Sequence, residues 1–303
     1  MNPANRLKTL LTPYVPLLFG TLLAASALPA AHADAHGDSG PHPVPVTDRP
    51  GPALTFDFPG LRIGTAEYDE GPTGTTVFHF PDGVKAAVDV RGGAPGTVNA
   101  AALMNGWDQK MMELVVFSGG SWYGLSATTG AANELKHVMA EDGKPNFIAG
   151  AVGAIIYDVG GRRMTRITPD DRLGRAALRA ARPGVFPLGA RGAGRFAMQG
   201  IYHLRPLTAQ NAGDWTHSGQ GGAFRQIGPT KIAVFTVVNS LGAVVDREGN
   251  IVRCSRNEPN RPCPKITEWL ARPAAGSSEA EPAPTSNTTL TLVVTNQKLP
   301  FAQ

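Results

Sequence analysis

Ser286-Asn287-Thr288-Thr289-Leu290-Thr291-Leu292-Val293-Val294-Thr295-Asn296 is the stretch on which the rest of the chain turns. A Pro/Ala/Ser/Glu-rich segment, residues 271–286, runs into it. From Thr288 the residues become apolar and β-branched, which predicts a strand of about eight residues. Three readings stand open at this point. The stretch is an ordinary strand after a linker, or Asn287-Thr288-Thr289 is an N-x-Thr glycosylation sequon, or the Asn287–Thr288 bond is a hidden N-terminus. In the last case, cutting the bond leaves Thr288 with a free α-amine beside its own hydroxyl. An α-amine titrates near ~8, so at mild pH it serves as general base for that hydroxyl, the N-terminal-threonine form of an activated nucleophile.

Composition bounds the alternatives. The 303 residues suffice for one large domain or two small ones, and 42% apolar residues support a real core. Charged residues make up 17% and the formal net charge is +4, with Lys and Arg scattered rather than clustered. A nucleic-acid-binding footprint is therefore not expected. At the N-terminus, Arg6 and Lys8 precede an apolar run over residues 10–28, and Ala31-His32-Ala33 forms a small-x-small cleavage box. Residues 1–33 thus read as an export signal, with Pro13 and Pro16 arguing against a retained anchor. The mature protein is expected in a periplasmic or extracellular space, off the membrane once the signal is removed. Residues 34–52, rich in Pro, His, Gly and Asp, read as a flexible linker. Residues 53–303 read as a single domain.

Cys254 and Cys263 are the two cysteines, and a short polar loop separates them. In an exported protein this spacing points to a disulfide. Zinc is disfavoured because no His or second Cys pair stands nearby, and no metal or organic cofactor is expected.

Along the chain, Leu54-Thr55-Phe56 and Leu61-Arg62-Ile63-Gly64 are expected as two strands around a Pro59-Gly60 turn. Residues 75–80 alternate as a strand, which Pro81-Asp82-Gly83 is expected to turn into another over residues 84–90. Residues 99–105 are expected as a short helix and residues 111–117 as a strand. Gly119-Gly120-Ser121 then leads toward a helix over residues 127–141. Strand, glycine turn and helix invite a phosphate-loop reading, but no Gly-Lys-Ser/Thr follows. Gly119-Gly120-Ser121-Trp122-Tyr123-Gly124 also misses the nucleophile-elbow spacing. Further strands are expected over residues 148–157 and 231–238, a helix over 173–182, and a hairpin over 244–252. Periodicity alone gives a mixed α/β domain.

The glycine-rich turns, taken as a set, resemble a known family. Residues 83–97 (GVKAAVDVRGGAPGT), residues 114–121 (LVVFSGGS) with Tyr123-Gly124-Leu125, residues 237–246 (VVNSLGAVVD), and Asn287-Thr288-Thr289-Leu290 with Val293-Val294-Thr295-Asn296 resemble, in order, four signatures of the DmpA-type P1 peptidases. That family holds the L-aminopeptidase/D-esterases, the β-peptidyl aminopeptidases and the nylon-oligomer endohydrolases. The resemblance implies a four-layer αββα sandwich of the self-processing N-terminal-nucleophile type. It implies autocleavage between Asn287 and Thr288 into two chains that stay together, with residues 271–287 as the processing linker and residues 288–303 beginning the second chain. It further implies Thr288 as nucleophile, Asn239 and Tyr157 as supports for the oxyanion, a small peptide or amide as substrate, and a homo-oligomer.

Two departures accompany it. Where the nylon-hydrolase subgroup carries a Lys after its glycine turn, this chain has Ile201, with Arg195 and Arg205 the nearest basic residues. The family also continues past the nucleophile strand into a helix and a strand bearing acids that hydrogen-bond the nucleophile's amine, whereas this sequence stops at Gln303. The alternative expectation is accordingly an unprocessed or inactive member of the same fold that binds a ligand or partner outside the cell.

Overall fold

The computed structural model describes residues 42–104, 111–159, 165–199, 216–240, 242–253, 263, 265–270 and 287–299. The expected signal, residues 1–33, and the linker, residues 271–286, lie outside them. The strands are β1 (Ala53–Thr55), β2 (Arg62–Tyr68), β3 (Thr73–Val84), β4 (Thr97–Val98), β5 (Met112–Ser118), β6 (Ala151–Ile155), β7 (Arg182–Pro183), β8 (Val185–Pro187), β9 (Met198–Gln199), β10 (Thr216–His217), β11 (Gly219–Ile227), β12 (Thr230–Asn239) and β13 (Thr288–Thr295). The helices are α1 (Ala100–Met104), α2 (Ser126–Glu141), α3 (Asp171–Arg179) and α4 (Ile266–Leu270).

Two sheets carry the domain. One has the order β4-β6-β5-β3-β2-β7, and the other is the antiparallel run β11-β12-β13. The central strands of the first sheet are buried on both faces, and their alternation sorts side chains into two cores. Val77, Leu114 and Val116 face α2 and α3, where they meet Ala131, Leu135, Leu173 and Ala177. Phe78, Val115 and Phe117 face the second sheet, where they meet Ala233, Phe235, Val237 and Val294. Phe235 is central to this second core, with ring centroids 5.3 Å from Phe78 and 4.8 Å from Phe186. The described residues thus supply three of the four expected layers: helices, sheet and sheet.

Several local expectations change in the tertiary structure. β1 and β2 do not pair with each other across Pro59-Gly60. β1 pairs with β8, and β2 pairs with β3 and β7. Pro81-Asp82-Gly83 is not a hairpin turn, because β3 pairs with β5 on both sides of it, His79 with Leu114 and Val84 with Met112. The extra residues form a bulge, with Gly83 at φ 66. The leader expected as a flexible linker to residue 52 is anchored over its described part. β7 covers β2 only at Arg62 and Ile63. The Glu67 backbone farther along that edge is open, and Val46 satisfies it with two bonds of 2.8 and 2.9 Å. Arg49 adds an ion pair to Glu67 at 3.0 Å.

Candidate active site

The site forms where β12 and β13 end together. Their antiparallel register places Asn239 directly opposite Thr288. The inward row of β12 runs Ala233, Phe235, Val237 and Asn239, three apolar residues and then a polar one, each buried. The inward row of β13 runs Thr288, Leu290, Leu292 and Val294. Directly opposed residues share a face, so the polar ends of both rows meet beyond the apolar core.

Asn239 is 3% exposed, and its amide is fully committed. Its Oδ1 accepts from the Met198 N–H at 3.0 Å. Its Nδ2 donates to the Tyr157 carbonyl at 2.7 Å and to Thr288 Oγ1 at 3.0 Å. The Met198 N–H is a pure donor, so it decides which end of the amide points away from Thr288. Thr288 Oγ1 also accepts from the Tyr157 N–H at 3.0 Å. Two N–H donors therefore converge on one hydroxyl oxygen. Donors aimed at the charged form of a group favour its ionisation, and both of these are aimed at Oγ1.

Tyr157, expected by resemblance to support the oxyanion, meets Thr288 and Asn239 through its backbone N–H and C=O, while its side chain is 40% exposed. Backbone ties hold that peptide in position. The Ile156 N–H bonds the Ser118 carbonyl, the Ser121 N–H bonds the Ile156 carbonyl, and the Gly120 N–H donates to Asp158 Oδ1 at 2.7 Å. Met198 is a contact of the candidate site that sequence reasoning missed. It donates through its main chain at the start of β9, four residues beyond the Gly192–Gly194 turn, and a side-chain pattern carries no trace of that. The start of this turn is pinned by Glu67, 1% exposed, which accepts from the Gly192 N–H at 2.8 Å and from Arg191 Nε at 2.9 Å.

Of the basic residues considered after the turn, Ile201 and Arg205 lie outside the described residues. Arg195 is engaged elsewhere, 3.4 Å from both Glu67 and Asp69. Cys263 is disulfide-bonded, and Cys254 lies outside the described residues. Among the described residues no group of three or more His, Cys, Asp or Glu is placed to hold a metal ion.

A cleft of about 800 Å³ opens beside Thr288 and reaches Asn287, so the Asn287–Thr288 bond lies on its wall. Residues 86–97, Val115 and Phe117 of β5, residues 152–155 of β6 and residues 287–292 line it.

The profile of peptidase family S58 matches residues 53–203. The chain is 37% identical over 263 residues to the 6-aminohexanoate-oligomer endohydrolase of Paenarthrobacter ureafaciens, covering 84% of this chain and 67% of that protein. It is 37% identical over 253 residues to a putative NylC-analogous protein of Agromyces sp. (strain KY5R), covering 81% of this chain and 74% of that one. Its fold is similar to that of the L-aminopeptidase D-Ala-esterase/amidase from Ochrobactrum anthropi, described as a new variant among the Ntn hydrolase fold, with a TM-score of 0.51 at 14% identity over 78% of this chain and 61% of that one. The chain therefore spans about two thirds of the length of the relatives it matches. The match to the family model and the 37% identity to relatives covered to two thirds or more show that this chain belongs to peptidase family S58.

Proposed function

We propose that this chain is an exported, self-processing amide hydrolase that uses Thr288 as its nucleophile on small peptides or amides. The observation that carries the reading is the convergence of the Tyr157 N–H and Asn239 Nδ2 on Thr288 Oγ1, each at 3.0 Å. Export is supported by the charged, apolar and small-x-small pattern of residues 1–33.

Processing proceeds by attack of Thr288 Oγ on the Asn287 carbonyl carbon. The C–N bond breaks, the nitrogen takes the proton, and an ester joins Asn287 to the hydroxyl. Water hydrolyses that ester, leaving an Asn287 carboxylate and a free Thr288 amine. In turnover the amine takes the hydroxyl proton as Oγ attacks the substrate carbonyl. It then returns the proton to the leaving amine, and water releases the acyl group. The two N–H donors orient Thr288 Oγ1 and favour loss of its proton before attack; as the carbonyl oxygen takes up the negative charge, Asn239 Nδ2 is the side-chain donor in reach to support it. By family resemblance, the working form is a homo-oligomer.

Intact-mass measurement of the purified protein beside Thr288→Ala tests the proposal. A split at Asn287–Thr288 that disappears in the variant is expected, with loss of amide hydrolysis. Equal processing in the two proteins overturns the assignment of Thr288.

A further inference from the structure

Gly119-Gly120-Ser121 leaves β5 and leads to α2, the setting of an anion-binding loop. In the fold the anion it receives is internal. Gly120 and Ser121 both adopt left-handed backbone, φ 81 and φ 55, and a serine persists there only where its surroundings over-determine it. Their consecutive N–H groups close on one short segment of chain. The Ser121 N–H donates to the Ile156 carbonyl at 3.0 Å, and the Gly120 N–H donates to Asp158 Oδ1 at 2.7 Å. Asp158 is 3% exposed. Its Oδ2 packs over Gly119, where an added Cβ would stand 2.5 Å from it and 2.8 Å from Thr73 Oγ1. Glycine is therefore what lets the carboxylate reach the turn.

The two bonds fall on either side of Tyr157. The Ile156 carbonyl and the Tyr157 N–H belong to one planar peptide group and point in opposite directions. With the carbonyl held by Ser121, the N–H points at Thr288 Oγ1, 3.0 Å away. The next peptide group begins at the Tyr157 carbonyl, which accepts from Asn239 Nδ2 at 2.7 Å. The Asp158 carboxylate ties its far end back to Gly120.

We propose that Asp158 is a positioning residue for the chemistry at Thr288: its carboxylate, seated on the Gly120 N–H, holds residues 156–158 so that the Tyr157 N–H stays on Thr288 Oγ1. The inference rests on the reading of Thr288 as nucleophile. A hydrogen bond to a carboxylate is charge-assisted and about twice as strong as a neutral one. Misplacing a reacting group by about 1 Å costs on the order of 10²-fold in rate, so a tie of this kind has kinetic consequences.

Amide hydrogen exchange and the rate of self-cleavage, both on the full chain, test the proposal. In the unaltered protein the Gly120, Ser121 and Tyr157 amides are expected to be protected. Free exchange at Gly120 overturns the proposal without any variant. In Asp158→Ala, self-cleavage followed by intact mass is expected to slow about 10- to 10²-fold. Protection is expected to fall at Tyr157 and to stay at Val116 in β5. Asp158→Asn keeps an acceptor for Gly120 and is expected to stay within about threefold of the unaltered rate. Leu135→Ala, in the core between the helices and the first sheet, lowers stability away from the turn and is expected to cleave at the unaltered rate. Full-rate cleavage in Asp158→Ala, equal slowing by Asn and Ala, or equal slowing by Leu135→Ala overturns the positioning role. So does unchanged Tyr157 protection in Asp158→Ala, a readout that needs no turnover. The two readings fail separately. Equal processing with and without Thr288 removes the nucleophile, whatever Asp158 does. Cleavage that needs Thr288 but is indifferent to Asp158→Ala removes only the positioning role.

Discussion

Asn239 shows how much one amide can specify. All three of its polar hydrogen-bonding positions in use are directed: one acceptor to the Met198 N–H, one donor to the Tyr157 carbonyl, one donor to Thr288 Oγ1. Asn239→Asp keeps an oxygen for Met198 but turns two donors into acceptors, facing a carbonyl and a hydroxyl oxygen. Processing and hydrolysis are expected to slow by about 10²- to 10³-fold. Leaving buried groups mismatched is expected to cost about 1–3 kcal/mol of stability as well. The cleaved fraction against time, read by intact mass, gives the first quantity, and denaturant unfolding gives the second. A variant that processes at the original rate removes Asn239 from the chemistry.

At the scale of elements, β3 links the two cores. It contributes Val77 to the helices and Phe78 to the second sheet. It also carries His79, opposite Arg62 on β2 and Leu114 on β5. Burial, and secondarily the Arg62 charge, lower the His79 pKa from 6.5 to about 4. The folded state therefore holds this imidazole neutral where the unfolded chain takes up a proton. Its contribution to stability is complete above pH 6.5, is lost as pH falls toward 4, and is flat below that. His79→Gln is expected to shrink the fall in Tm between pH 7 and about pH 4.5. Thermal unfolding across that range checks this, and an unchanged slope assigns the acid sensitivity to other groups. Glu134 behaves differently. Burial alone raises its pKa, but hydrogen bonds from Arg179 and Arg175 outweigh that and lower it, so the α2–α3 contact keeps its charge pairing at mildly acid pH.

For the whole molecule, the cleft geometry depends on how the two sheets are held together. The aromatic cluster Phe56, Phe78, Phe186 and Phe235 is the main tie, since Phe235 touches each of the other three rings. β12 carries Phe235 and Asn239 on the same inward row, so the packing that fixes the strand also sets the height of the amide over Thr288. Phe235→Ala is expected to cost about 3–5 kcal/mol and to slow processing through displacement of β12. Chemical denaturation measures the loss. Full stability in the variant contradicts the central place of this ring.

The sequence by itself determined the α/β class, the existence of most strands and of helices α2 and α3, the family, and the candidate pair Thr288 and Asn239. These are legible because alternation, β-branching and glycine turns are written locally, within a few residues. The tertiary structure alone decided which strands pair, that Pro81-Asp82-Gly83 bulges rather than turns, and that the leader is anchored from Val46. It also decided that the Tyr157 backbone N–H, and not its side chain, meets Thr288 Oγ1, and that Met198 orients the Asn239 amide. The physical reason is common to all of these. Each is a hydrogen bond or packing contact between segments far apart in the chain, 131 residues apart for Tyr157 and Thr288. A backbone N–H has the same chemistry at nearly every residue, so only the closed fold selects which one meets the hydroxyl.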